Sequence, residues 1–390
     1  MNNLTSRMES VQSPIIPMVG QLIGENPGTI SLGQGVVYYP PPSEAIEGIN
    51  QFFNYPHNHQ YKSVQGIHPL TSQIVTKLQA DNKITINNNR SIVVTAGSNM
   101  GFMNAILAIT NAEDEIILNT PYYFNHEMAI MMANCQPILV NTDDKYQLSL
   151  DNIKAAITSK TRAIVTISPN NPTGVIYPES SLRAVNQLCR EKGIYHISDE
   201  AYEYFTYDGI KHFSPGSIID SDSHTISLYS LSKAYGFASW RIGYMVIPNH
   251  LLEAVKKIQD TILICPPVIS QYAALEALKV GKSYCQEHIK EINEIRKIFI
   301  NHLQSLEDIC TLVPSQGAFY FFLKIHTDIK DIELVKKLIE NYKIAVLPGG
   351  TFGIEKGCYL RIAYGALQQE TATMGIERLV QGLKQLINPV

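Results

Sequence analysis

The chain has 390 residues, 45% apolar and 17% charged, which suits about two domains at roughly 150 residues each. Its 31 lysines and arginines stand against 35 aspartates and glutamates, a formal charge of −4, with no basic tail or stripe, so nucleic acid and anionic membrane surfaces are not expected partners. The N-terminal MNNLTSRMESVQSPIIP lacks a long apolar core, so no signal peptide is expected, and no run approaches the roughly 18 apolar residues of a membrane span.

Up to about residue 45 the chain reads as loop-rich and ends in the cluster Pro40-Pro41-Pro42. IHPLTSQIVTKLQA (67–80) has helical spacing. SIVVTAG (91–97) reads as a short apolar strand, and SNMGFMNAILAITNA after it as a helix. EIILNTP (115–121), QPILVN (136–141), RAIVTISP (162–169), YHISDEAY (195–202) and HTISLYS (224–230) read as further strands. Helical segments such as SSLRAVNQLCREKG (180–193) lie between several of them. Strands apolar throughout, alternating with helices, predict an α/β domain with a mostly parallel sheet.

After about residue 284 the pattern changes. The amphipathic YCQEHIKEINEIRKIFINHLQSL precedes a second α/β region, with GAFYFFLKI (317–325) and CYLRIAYG (358–365) as its strands. The expected division is a large domain over 46–284 and a small one made by 1–45 together with 285–390. The six cysteines form no C-x-x-C pair and join no histidine cluster, so free thiols in a reducing cytoplasm are expected and no metal site.

Ligands of open α/β sheets bind beyond the carboxyl ends of the strands, so the residues after each strand carry the chemistry. Gly97, Ser98 and Asn99 follow one strand and open a helix, a geometry for an anion or simply a turn. Asn171 lies in the Pro169–Gly174 turn after another. Asp199, in an apolar setting, needs a partner, and Tyr202 follows three residues on. Lys233 follows HTISLYS with no acid near it in sequence, between the small Ser232 and Ala234. A strand-end Lys, a strand-end Asp and a phosphate cup suit a phosphorylated pyridine aldehyde.

With these motifs in order (T-A-G-S, P-x-x-N-P-T-G, D-E-A-Y, S-x-S-K and then R-I-G-Y, and a late R), the sequence resembles the class I and II aminotransferases of fold-type I pyridoxal phosphate enzymes from SLGQG at 31 to YLRIAYG at 359. The resemblance implies a large domain with a mostly parallel seven-stranded sheet plus a smaller α/β domain, and pyridoxal 5′-phosphate as cofactor. It implies Lys233 as the Schiff-base and proton-moving lysine, Asp199 on the pyridinium nitrogen, and Asn171 and Tyr202 on the ring oxygen. Gly97, Ser98, Asn99, Ser230, Ser232 and Arg241 match the phosphate cup. Tyr123 matches the aromatic stacked on the ring, with His126 behind Asp199 or else a plain core histidine. Gly35 and Arg361 match the groups that meet the substrate α-carboxylate, and Asn171 is expected to bind substrate as well as cofactor. Tyr61 matches a tyrosine that reaches the neighbouring subunit's phosphate, which implies a homodimer with shared sites.

Two departures bear on selectivity. Where kynurenine and glutamine aminotransferase relatives read G-F-P-D-F, this chain has Gly35-Val36-Val37-Tyr38-Tyr39, a segment expected to border the substrate side chain. Some aspartate- or prephenate-active relatives carry a lysine where this chain has Leu107. With no second cation in a motif position, apolar or aromatic substrates are favoured over aspartate. The expected activity is ping-pong transfer of an amino group between an L-amino acid and a 2-oxo acid such as 2-oxoglutarate. A carbon–sulfur lyase on the same fold needs the same lysine and aspartate, and a non-catalytic amino-acid sensor is the remoter alternative.

Overall fold

The computed structural model describes residues 6–387. The N-terminal stretch, expected to be loop-rich, contains a helix over Ile15–Glu25 ahead of the short strand β1 (Ile30–Ser31). Pro17, Gly20 and Gly24 weaken the helical pattern there. Pro17 stands in the first turn, where its missing N–H removes no helical hydrogen bond, and Ile15 and Val19, four residues apart, bury on one face.

Seven strands make the main sheet: β2 (Arg90–Thr95), β3 (Glu115–Thr120), β4 (Gln136–Asn141), β5 (Thr161–Ile167), β6 (Tyr195–Asp199), β7 (Thr225–Ser230) and β8 (Gly243–Pro248). Their order is β2-β8-β7-β6-β5-β3-β4. Only β8 runs antiparallel to its neighbours, β2 and β7. Six of these strands are readable from their own residues. The seventh, β8, follows directly on Arg241 and is buried at all six positions. Helices such as Ser98–Ile109 and Glu179–Lys192 lay their apolar faces on the sheet, so its inner strands are buried almost throughout, as a parallel sheet requires, while the edge strand β4 stays largely uncovered.

The C-terminal region begins with the long helix Lys282–Gln304 and carries β9 (Cys310–Leu312), β10 (Tyr320–Ile325), β11 (Ile344–Ala345), β12 (Leu347–Pro348) and β13 (Cys358–Ala363). β12, β13, β10 and β9 form an antiparallel sheet in that order. The strand expected from 317 starts only at 320, because Ala318 adopts a φ of 51° and donates its N–H to the carbonyl of Phe205 at 2.9 Å. β1 pairs in parallel with β11, Ile30 opposite Ile344, and this ties the N-terminal segment to the C-terminal region. The boundary expected at 45 falls inside the helix Ser43–Phe53, which packs against Val268–Val280. Among the described residues no helix is long and apolar enough to cross a membrane.

Candidate active site

The carboxyl ends of β2, β5, β6 and β7 face strands β10 and β13 across a pocket of about 380 Å³. Its lining includes Gly35, Ser98, Asn99, Tyr123, Asn171, Asp199, Tyr202, Ser230, Ser232, Lys233, Arg241 and Arg361. The turns between sheet and helices therefore bring together residues spread over more than 300 positions.

One corner is built for an anion. β2 ends at Thr95, and the 12-residue helix Ser98–Ile109 starts three residues later with its first N–H groups free of side-chain caps. Gly97 caps it at φ 82°, and a Cβ there would run into the guanidinium of Arg241. Glycine is thus what lets Arg241 lie against the helix end. Gly97 itself lies behind Arg241 and outside the pocket lining. Arg241 donates to the carbonyl of Ala238 at 2.8 Å and meets no carboxylate within ion-pair distance among the described residues. The hydroxyls of Ser230 and Ser232 open from the next strand end, with Ser230 capping the helix that bears Lys233.

The opposite wall is acidic and aromatic. Asp199, the last residue of β6, is buried. One of its oxygens accepts the N–H of Ala201 at 3.1 Å, and the other lies 3.0 Å from His126 Nε2. His126 is stacked on Phe102 (centroids 3.9 Å apart, 14°) and meets Tyr123 edge-on. It is therefore Asp199's partner as well as part of the core. Tyr202 Oη lies 2.6 Å from Tyr320 Oη. Burial, reinforced by that neighbour, holds the Tyr202 phenol well above its ordinary pKa. Burial raises Tyr123 too, against a lowering hydrogen bond from Asn99.

Lys233 occupies a one-turn helix, Leu231–Ala234, and donates from Nζ to the carbonyl of Gly35. Burial, followed by the nearby Arg361 and Arg241, lowers its pKa from 10.5 to about 8, with Asp199 pulling weakly the other way. Such a lysine yields a free amine near neutral pH, as a nucleophile or base requires.

Arg361 comes from β13 and is 2% exposed. It donates to Asn171 Oδ1 at 2.9 Å and to the carbonyl of Gly33 at 2.6 Å. The rings of Tyr320 and Phe352 lie 4.6 and 5.1 Å from its guanidinium carbon. Its Nε has no partner, and a buried guanidinium with an unused donor is set for an anionic ligand. Asn171 is held by its turn, where Asn170 accepts from both the N–H and the hydroxyl of Thr173.

Two further residues singled out in the sequence lie outside this chain's pocket, Tyr61 as expected of a residue that serves a neighbouring copy. Tyr61 is 78% exposed and Leu107 38% exposed, both away from the pocket of their own chain. Of the segment 36–39, only Val36 lines the pocket. Tyr38 turns out to Glu291, and Tyr39 lies beneath Lys233. Tyr320, Gln34, Ile16, Phe124 and Ile167 also line the pocket and were not foreseen. Tyr320 reads as one more apolar residue of a core strand, and Ile16 lies in the stretch taken for a loop.

A lysine and an aspartate at adjacent strand ends of such a sheet, with an anion corner beside them, define the class of enzymes that work through a phosphorylated pyridine aldehyde. The comparisons name the family. Residues 27–379 match the model for aminotransferase class I and II, and the chain belongs to that family. It is a pyridoxal-phosphate-dependent aminotransferase. It is 31% identical to aromatic aminotransferase ISS1 of Arabidopsis thaliana over 99% of this chain and 97% of that protein. It is 34% identical to a probable aspartate/prephenate aminotransferase of Aquifex aeolicus over 84% of each. Among solved structures it is similar to an aromatic aminotransferase from Pyrococcus horikoshii, with a TM-score of 0.87, 29% identity and 94% and 99% of the two chains covered. An aspartate aminotransferase double mutant of Thermus thermophilus superposes with a TM-score of 0.89 at 26% identity, covering 98% of this chain and all of that one. The pocket fits the cofactor on its own terms: a helix N-terminus beside an arginine with no carboxylate partner, a buried carboxylate backed by His126, and a desolvated lysine in the same lining.

Proposed function

We propose that this enzyme moves the amino group of an L-amino acid with an apolar or aromatic side chain onto a 2-oxo acid, 2-oxoglutarate being the expected acceptor, in a ping-pong cycle. The observation that carries the site assignment is the pairing of two cations, the buried Arg361 and the half-buried Lys233, in one pocket whose lining carboxylate, Asp199, is already engaged by His126.

When bound, pyridoxal phosphate supplies an aldehyde carbon for an amine and a ring that takes up the electron pair released at the substrate Cα. The chain's own residues do the rest. The N–H groups of Ser98 and Asn99, the hydroxyls of Ser230 and Ser232 and the guanidinium of Arg241 would hold the phosphate. Asp199 would keep the ring nitrogen protonated, with His126 fixing the carboxylate. Tyr202 and Asn171 would face the ring oxygen, and Tyr123 would cover the ring. Arg361 would take the substrate α-carboxylate as a two-point contact, with Gly35 beside it. Lys233, as the free amine, would lift the α-proton and return it to the other end of the reacting system.

The side-chain space supports the apolar preference. Ile16, Val36, Phe124 and Ile167 border the pocket, and its only cations among the described residues are Lys233, Arg241 and Arg361. The three divide between phosphate, α-carboxylate and chemistry, leaving none for a distal carboxylate from this chain. The exposed Tyr61 fits a homodimer in which each copy completes the other's phosphate site. We take residues 46–284 as the large domain and 1–45 with 285–390 as the small one, and place the protein in the cytoplasm, in keeping with its free cysteines. A donor and acceptor screen, read from cofactor absorbance in each half-reaction, tests the reading. Preference for tyrosine, phenylalanine or leucine over aspartate supports it, and a strict preference for aspartate contradicts it.

A further inference from the structure

Lys233 sits in a helix of a single turn, so its carbonyls cannot all find partners within the helix. The carbonyl of Leu231 accepts the N–H of Tyr235 at 3.2 Å. That of Lys233 accepts the hydroxyl of Tyr39 at 2.7 Å, and that of Ala234 lies 3.4 Å from the same oxygen. Tyr39 is 3% exposed. Its ring lies flat on His288, with centroids 4.1 Å apart at 9°, and edge-on to Tyr284. Tyr284 donates to the next carbonyl along, Pro40, at 2.5 Å. Gly236, at φ 68°, allows this backbone to lie close, since a Cβ there would stand 2.6 Å from the Tyr39 carbonyl oxygen. Four residues upstream, the same segment offers the Gly35 carbonyl to the Lys233 ammonium.

We propose that Tyr39 is a positioning residue for Lys233. Its hydroxyl pins the lysine's carbonyl while Gly35 meets the lysine's amine, so the segment that borders the substrate sets how far the amine can reach. The helix Lys282–Gln304 braces the arrangement through Tyr284 and His288. This rests on Lys233 being the residue that moves the α-proton.

The test is Tyr39→Phe in the cofactor-loaded enzyme, followed through one half-reaction with an L-amino acid and its α-deuterated form. The proton-transfer rate should fall about ten- to a hundredfold, the scale of a misplaced catalytic group, with substrate saturation little changed. The deuterium isotope effect should stay at or above that of wild type, because the slowed step is the proton transfer. An unchanged rate overturns the proposal. So does a slower rate with a smaller isotope effect, or a loss that merely tracks lower cofactor content. If Tyr39→Phe does not fold, Tyr284→Phe frees only the Pro40 carbonyl and should show the same slowing at smaller size; wild-type rates there overturn the proposal. Borohydride trapping separates the two failures. Cofactor fixed on another lysine undoes the site reading, whereas fixation on Lys233 with wild-type kinetics in the variant undoes only the role of Tyr39.

Discussion

Among the described residues two lysines reach into the interior, Lys77 buried and Lys233 half-buried at the pocket, and their surroundings differ in kind. Lys77, from the helix His68–Lys77, is 7% exposed. It meets both carboxylate oxygens of Glu203 at 2.5 and 2.6 Å and Asn82 Oδ1 at 2.8 Å, with the ring of Tyr229 4.6 Å away. Every donor of that ammonium has an acceptor, and its charge is matched. Lys233 has one carbonyl, two neighbouring guanidiniums and a carboxylate already engaged by histidine. A buried charge with a complete set of partners holds structure together. One left short of partners has its pKa moved and is available for reaction.

Substitution should separate the two. Lys233→Ala is expected to reduce the half-reaction rate by roughly 10⁴-fold or more, since it removes both the amine and the proton carrier, without lowering the melting temperature. Lys77→Met should do the reverse. Breaking a buried pair and stranding Glu203 costs about 3–5 kcal/mol of stability, visible in denaturant unfolding, while the surviving folded enzyme keeps its turnover. The double variant with Glu203→Leu should recover much of that loss.

The same contrast has a pH signature. Lys233 has a folded pKa of about 8 against 10.5 when exposed, so the unfolded chain binds the extra proton over that interval. Stability of the cofactor-free protein should therefore rise with pH from 8 to 10.5 on this group's account. Lys233→Met removes the penalty. It should be more stable than wild type below pH 8, by up to about 3 kcal/mol, with the advantage vanishing toward pH 10.5. A constant difference across that range would mean that the ammonium is not desolvated. The smallest expected effect is at the proposed subunit boundary, where Tyr61→Phe should weaken cofactor retention about tenfold, one charge-assisted hydrogen bond's worth. No change there would remove the support that Tyr61 gives to a shared site.

The contrast also marks what could be read from the sequence. Lys233 is legible because it follows an apolar strand and keeps small neighbours, and Asp199 because it ends another. These are local patterns, and the resemblance set them in register. Lys77 looks like any amphipathic-helix lysine, since its acidic partner lies 126 residues away. Tyr320 and the hydroxyl of Tyr39 were missed for a related reason. An aromatic residue in an apolar run reads as core, and only tertiary packing shows that its hydroxyl faces Tyr202 in one case and the carbonyl of Lys233 in the other. The helix Ile15–Glu25 was hidden by a proline and two glycines, although packing of its apolar face outweighs their poor propensity.

The central claim is that Lys233, and no other lysine, carries the cofactor. The most direct measurement is to reduce the loaded enzyme with borohydride, digest it and locate the pyridoxyl group by mass spectrometry. The label is predicted on the peptide containing Lys233 and absent from Lys77. Label on a different lysine, or a loaded enzyme from which borohydride traps nothing, would contradict the account.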